Sequence, residues 1–183
     1  MKLYDLRADL SVCCAFLLKD PFIWGGGKSG WFEGTSRGNT YPIAQGKRSE
    51  ERIDGPLPDY TDFGLRPIPA FSERAIDALA LMLRPHGEFA AIEMDEPVRY
   101  FAFNPTTIVD VLDEEQSDIA RFRSGGVMAV ERHVLRASVQ TLPPIFNIPQ
   151  TRRNTTYVTE EFRDQVRRAE LTGFDFELLF ERQ

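Results

Sequence analysis

Large apolar and charged side chains alternate most clearly near the end of the chain, where Phe174, Phe176, Leu178 and Phe180 interleave with Asp175, Glu177, Leu179 and Glu181. Successive strand side chains point to opposite faces, so this spacing predicts a final strand with one buried face. Just before it, Phe162, Val166 and Ala169 recur at helical spacing and predict a helix over about 160–170. Thr159 stands at its N-cap position, where a hydroxyl can take a free backbone N–H, and Glu160 and Glu161 place negative charge at the positive end of the dipole. Arg167 and Arg168 occupy the last turn, and Gly173 reads as a left-handed stop. Four large apolar residues on one strand face need a sheet and a helix over them, so this closing block is expected to complete the core.

A second helix is predicted over about 73–83. Ser72 is its N-cap, Ile76, Leu79 and Leu83 share a face, and Pro85 ends it. Leu3 to Leu6 and Val12 to Phe22 read as strands, with a break at Asp20-Pro21. So do Phe89 to Ile92 and Val98 to Phe103, while Thr106 to Leu112 fits a strand or a short helix. Gly125-Gly126 lies between Phe122 and the apolar run Val127 to Val130, as in a hairpin. Pro143-Pro144 and Pro149 bracket Ile145 to Ile148, which suits an edge strand. Thr155 to Val158 leads into the final helix. Together these elements predict an α+β fold: a mainly antiparallel sheet packed with two principal helices, in a single domain over residues 1–183.

Between about residues 25 and 62 the pattern is lost. This span holds eight glycines and three prolines, and Trp24, Trp31 and Phe32 stand in or beside it as aromatic islands. Long irregular stretches in compact domains are commonly functional. Gly25-Gly26-Gly27-Lys28-Ser29 invites a phosphate-binding loop, but the bulky Phe22 stands where the Walker pattern needs its first glycine, and no apolar helix follows.

Composition narrows the classes. Hydrophobic residues at 42% and charged ones at 27% are ordinary for a globular protein. Asp5, Arg7 and Asp9 interrupt the N-terminal stretch, which does not read as a secretory signal, and no apolar run is long enough for a transmembrane helix. A cytoplasmic location is expected. Cys13 and Cys14 are neighbours in an apolar run, which disfavours an ordinary disulfide and fits buried, reduced thiols.

The net charge of -6 is concentrated in one segment. Residues 1–87 carry eleven basic and eleven acidic side chains, and residues 119–183 carry ten and eight. Residues 88–118 carry nine acids against the single base Arg99. A field of one sign repels nucleic acid and speeds encounter with a basic protein surface. The centres of that field are Glu93, Asp95 and Glu96, then Asp113, Glu114 and Glu115.

Catalytic signatures are sparse. His86 and His133 are the two histidines, too few beside adjacent cysteines for an ordinary zinc site, and no nucleophile elbow, zinc-protease helix or dinucleotide-binding turn occurs. A carboxylate pair among Glu93, Asp95, Glu96 and Asp113 would be the raw material for a hydrolytic site. The reading that follows is a protein that works by binding, without cofactor or metal.

An ordered series of segments carries a resemblance. Phe71-Ser72-Glu73-Arg74-Ala75-Ile76-Asp77-Ala78-Leu79 comes first, followed by Val109-Asp110-Val111-Leu112-Asp113-Glu114-Glu115-Gln116-Ser117 and Pro144-Ile145-Phe146. Tyr157-Val158-Thr159-Glu160-Glu161-Phe162 and Leu171-Thr172-Gly173-Phe174-Asp175-Phe176 complete it. This series resembles the immunity-protein-eleven family of bacterial polymorphic toxin systems over roughly residues 56 to 180. The resemblance implies a cytoplasmic α+β protein that binds one cognate toxin and blocks its active site, with no catalytic residues, cofactor, nucleic acid or membrane involved. Partner-binding residues expected on this reading are Trp24, Trp31 and Phe32 as aromatic anchors, with Glu93, Asp95, Glu96, Asp113, Glu114 and Glu115 as the acidic face; the alternative for both tryptophans is core packing under the long loop. The alternatives are an enzyme with a carboxylate-based hydrolytic site and an adaptor module of a secretion system.

Overall fold

The computed structural model describes residues 1–24, 30–38, 40–50, 55–63, 68–151 and 154–182, so the Gly25–Ser29 run lies outside the described residues. The elements begin with β1 (Lys2–Ala8), β2 (Phe16–Leu18), β3 (Ala44–Arg48), β4 (Tyr60–Phe63) and β5 (Ile68–Ser72). Helices α1 (Glu73–Ala78) and α2 (Ala80–Leu83) follow, then β6 (Gly87–Met94), β7 (Tyr100–Pro105), β8 (Asp118–Arg121) and β9 (Val127–Arg132). The chain closes with β10 (Ile145–Phe146), β11 (Tyr157–Thr159), α3 (Glu160–Arg168) and β12 (Phe174–Glu181). The fold is α+β, as expected, but it is built from two main sheets and a separate hairpin, with little helix.

The first sheet has the order β10-β11-β1-β12 and is antiparallel throughout. The second has the order β2-β3-β6-β7-β5-β4, with β3 and β6 its parallel pair. Strand periodicity explains how the two share one interior. On β1, Tyr4 and Leu6 face a central cluster while Leu3 faces an outer one. On β7, Phe103 faces the central cluster while Tyr100 and Ala102 face the other outer one. The helices fill the space between the sheets through Ile76, Leu79, Leu83, Phe162 and Val166. One loop layer, around Trp24 and Tyr41, covers the far face of the second sheet. A second, around Leu112, Leu135 and Ile148, covers the far face of the first.

Several elements depart from the periodicity. The helix expected over 73–83 breaks at Leu79, whose backbone leaves helical geometry at φ -110, ψ 12. Leu79 and Leu83 still reach the core, while Leu81 is 91% exposed. The final helix starts at Glu160, but the Thr159 hydroxyl makes no cap hydrogen bond and is buried without a partner among the described residues. Its N–H instead joins the Pro144 carbonyl, because Thr159 also ends β11. After α3 the first residue with positive φ is Glu170 (φ 50), and Gly173 (φ 84) turns the chain into β12. A Cβ at Gly173 would collide with the Tyr60 carbonyl oxygen, so this position needs glycine for both conformation and room.

The last strand keeps its alternation only to Phe176. Leu3 pairs with Phe180 and Tyr4 with Leu178, so Leu179 is an extra residue in a bulge. The bulge leaves Leu178 half exposed and directs Leu179 and Phe180 toward the outer cluster. Val12 to Phe22 yields strand only at Phe16–Leu18, and the strand expected at Val98 begins at Tyr100. Thr106 to Leu112 contributes only isolated bridges, from Ile108 to Asn147 and from Leu112 to Leu135. Ile145–Phe146 does lie at a sheet edge, and Gly125-Gly126 does turn the hairpin. No helix among the described residues is long and apolar enough to cross a membrane.

Candidate functional site

The aromatic islands belong to the loop layer. Trp24 is 3% exposed, and its indole N–H donates to the Pro42 carbonyl at 2.9 Å, so it is a core residue and no exposed anchor. Trp31 and Phe32 are half-buried and pack with Tyr41 at ring-centroid distances of 5.7 and 5.3 Å, and the Arg37 guanidinium lies over Trp31. Distant polar groups fix this layer to the second sheet. Glu88 accepts hydrogen bonds from the Ser36 hydroxyl, the Arg37 and Gly38 N–H groups and the Tyr41 hydroxyl. Burial works to raise the Glu88 pKa, but these four donors outweigh it and hold the carboxyl below its ordinary value. Asn104, fully buried, accepts from the Gly34 N–H and donates to the Thr35 carbonyl and the Tyr41 hydroxyl. No composition signal marks Glu88 or Asn104 as the pins of a loop some 50 to 70 residues away.

The acidic segment is split by the fold. Glu93, Asp95 and Glu96 sit at one end of the β6–β7 hairpin, while the chain toward Asp113 leaves from Pro105 at the other end, about 20 Å of strand away. Glu93 and Glu96 border an open groove of about 370 Å³, with Met94, Val98, Arg99 and Phe101 among its walls. Glu96 is engaged by Arg48 through two hydrogen bonds of 2.5 and 2.9 Å, and Asp95 meets Lys19 at 3.5 Å. Glu93 is exposed and has no ion-pair partner among the described residues. Of the two carboxylates on the groove, Glu96 is paired with Arg48 and Glu93 faces solvent.

The second acidic group is built into the root of a hairpin. The Asp113 carboxylate accepts from the backbone and side-chain N–H groups of Gln116, which closes the turn. Glu114 accepts from Arg121 and from Gln150, both at 2.7 Å, and these donors lower its pKa. Glu115 points outward with no ion-pair partner among the described residues. Arg132 grips Asp118 and the Gln116 carbonyl, and the Ser117 hydroxyl bonds both the N–H and the carbonyl of Val134. A groove of about 420 Å³ runs beside this root, lined by Asp113, Gln116, Gln140 and Arg182 with Leu135.

From that root runs the β8–β9 hairpin; Ile119 and Val130 pack half-buried on the outer cluster, and none of its strand residues is fully buried. Phe122 and Met128 near its tip are 55% and 49% exposed. Met128 is the extra residue of a bulge between the Ala120–Ala129 and Arg121–Val127 pairs. Bulges re-aim side chains, and this one accompanies an apolar residue in water. The glycine pair located the turn in the sequence, but nothing there distinguished a projecting hairpin from a core one. His133, just beyond β9, is buried with its Nε2 3.1 Å from the Tyr157 hydroxyl, which lies 2.8 Å from Thr151 Oγ1. Burial lowers the His133 pKa to about 4, so the ring is neutral and structural at neutral pH. Among the described residues no group of three or more His, Cys, Asp or Glu side chains could hold a metal ion. No protein-family model and no curated protein matches the chain.

Proposed function

We propose that this chain is an immunity protein that binds one cognate bacterial toxin in the cytoplasm and masks its active site without catalysing a reaction. The observation that carries the reading is the Asp113-Glu114-Glu115 turn, an acidic surface held rigid by Gln116, Arg121 and Gln150 at the foot of an exposed hairpin. Preorganised charge of this kind accelerates encounter with a basic partner more than it deepens affinity. The ordered segments that resemble the immunity-protein-eleven family support the same reading. In the structure they have scaffold roles: Ser72 caps α1, Gly173 makes the turn into β12, and Tyr157 packs under the hairpin's root.

On this reading a toxin gene adjoins this one, and the experiment is co-expression of the two. Cells carrying both grow, and cells carrying the toxin alone do not. Equal killing with and without this chain ends the immunity reading. Surface charge is tested separately by reversing Asp113, Glu114 and Glu115 to lysine. Association with the toxin then slows about tenfold or more at low salt and little at high salt.

A further inference from the structure

We infer that the β8–β9 hairpin is the element that enters the partner, and that the cleft it enters is apolar and carboxylate-bearing at its floor and basic at its rim. This inference rests on the toxin-binding reading and specifies its contact. Three observations carry it. The first is exposure: the hairpin has two open edges and no buried strand residue, and it presents Phe122 and Met128 to water at the same end. Ile119 and Val130 anchor one end of the hairpin on the outer cluster, while the apolar tip is left for a partner to bury. Aromatic residues at the centre of an interface dominate binding energy.

The second observation is the order of charge along the hairpin. From Phe122 to Met128 the tip holds Arg123 and no acid, in a protein of net charge -6. Arg121 turns back to Glu114, while Arg123 is exposed with no carboxylate partner among the described residues. Toward the root the exposed acids are Glu131 on β9 and Glu115 in the turn before β8. The complement of a cationic apolar tip and an acidic root is a cleft with carboxylates deep inside and cations around the mouth. That is the charge layout of an enzyme acting on a polyanionic chain such as a nucleic acid, whose rim holds phosphates while deep carboxylates serve the chemistry.

The third is preorganisation. Arg121–Glu114, Arg132–Asp118 and the Ser117–Val134 hydrogen bonds brace the root before any partner arrives. A braced element loses little conformational freedom on binding, which favours affinity.

The test uses the full chain and the toxin identified by the co-expression experiment, with affinity measured by titration calorimetry. Phe122→Ala and Arg123→Glu each weaken the complex by about 30-fold or more, whereas Asp77→Lys, exposed on α1, leaves affinity within about threefold. Arg123 is exposed and Phe122 more than half exposed, so circular dichroism and melting temperature stay close to those of the unaltered chain. Hydrogen exchange gives a readout without mutation: amides of residues 119–131 slow at least tenfold in the complex. Heparin, as a polyanion probe, competes with the chain for the toxin. Absence of any complex with the unaltered chain overturns both this inference and the reading beneath it. A tight complex that ignores both tip substitutions and leaves the hairpin amides unprotected overturns the inference alone. A toxin that does not bind heparin, or that holds heparin and the chain together, overturns the assigned charge layout of the cleft.

Discussion

Asp59 and Thr172 lie 113 residues apart, yet the N–H and hydroxyl of Thr172 both reach the Asp59 carboxylate, at 3.0 and 3.3 Å. The same carboxylate accepts from the Ser72 hydroxyl at 2.8 Å and from Arg74 at 2.7 Å. Ser72 in turn accepts from the Ala75 N–H and caps α1. One buried side chain thus joins the second sheet, the start of the helical layer and the loop into β12. Asp59→Ala removes the common acceptor and leaves the buried Ser72 hydroxyl and the partly buried Thr172 N–H unmet. It is expected to destabilise the fold by about 3 kcal/mol, measured by urea denaturation. A loss under about 1 kcal/mol would show that water replaces the carboxylate.

Gly173→Ala tests the turn into β12. The left-handed φ and the nearby Tyr60 carbonyl both oppose a Cβ. The expected cost is about 2–4 kcal/mol, seen as a lower denaturation midpoint with an unchanged slope. Gly125→Ala is the comparison, because φ there is also positive but nothing lies within 4 Å of the added carbon. Its cost is expected to be about 1 kcal/mol, from backbone strain alone.

His133 gives the fold an acid-sensitive component. Burial depresses its folded pKa to about 4 from the ordinary 6.5, so the folded state prefers the neutral ring. The unfolded chain binds a proton at higher pH than the folded one. This contribution is therefore complete above about pH 6.5 and is lost progressively as pH falls to about 4. The most it can amount to is about 3 kcal/mol. His133→Gln, which keeps a polar group beside Tyr157, is expected to flatten that part of the stability profile. An unchanged slope between pH 6.5 and 4 would assign the acid response to other groups.

Glu88 is expected to control the loop layer. Glu88→Gln weakens its hydrogen bonds to Ser36, Arg37, Gly38 and Tyr41, and Glu88→Ala removes them. Limited proteolysis between residues 30 and 41 should accelerate in the order unaltered, Gln, Ala. Because the folded carboxyl has a lowered pKa, the anchoring persists above the ordinary carboxylate range and fails as pH drops through the folded value. Equal cleavage rates in all three proteins would show that Asn104 and aromatic packing suffice.

What the sequence disclosed depended on whether the cause was local. The Ser72 cap, the α3 stripe of Phe162 and Val166, and the Gly125-Gly126 turn are each written within a few residues, and all three occur in the structure. The break at Leu79 and the bulge at Leu179 have no glycine or proline to announce them, since they arise from fitting two sheets around one interior. Trp24 sits beside a glycine-rich stretch that reads as surface, yet Glu88 and Asn104 draw that layer onto the second sheet. Of the acidic residues, the sequence showed their abundance but not their division. Only the β6–β7 hairpin separates Glu93 from Asp113, and only the ion pairs show that Glu96 and Glu114 are already occupied.

The stacking of loop layer, sheet, helices, sheet and loop layer gives the molecule two fronts facing away from each other. A protein that seizes the projecting hairpin leaves the tryptophan-bearing front untouched. That second front stays open for a tether, a label or another binding partner.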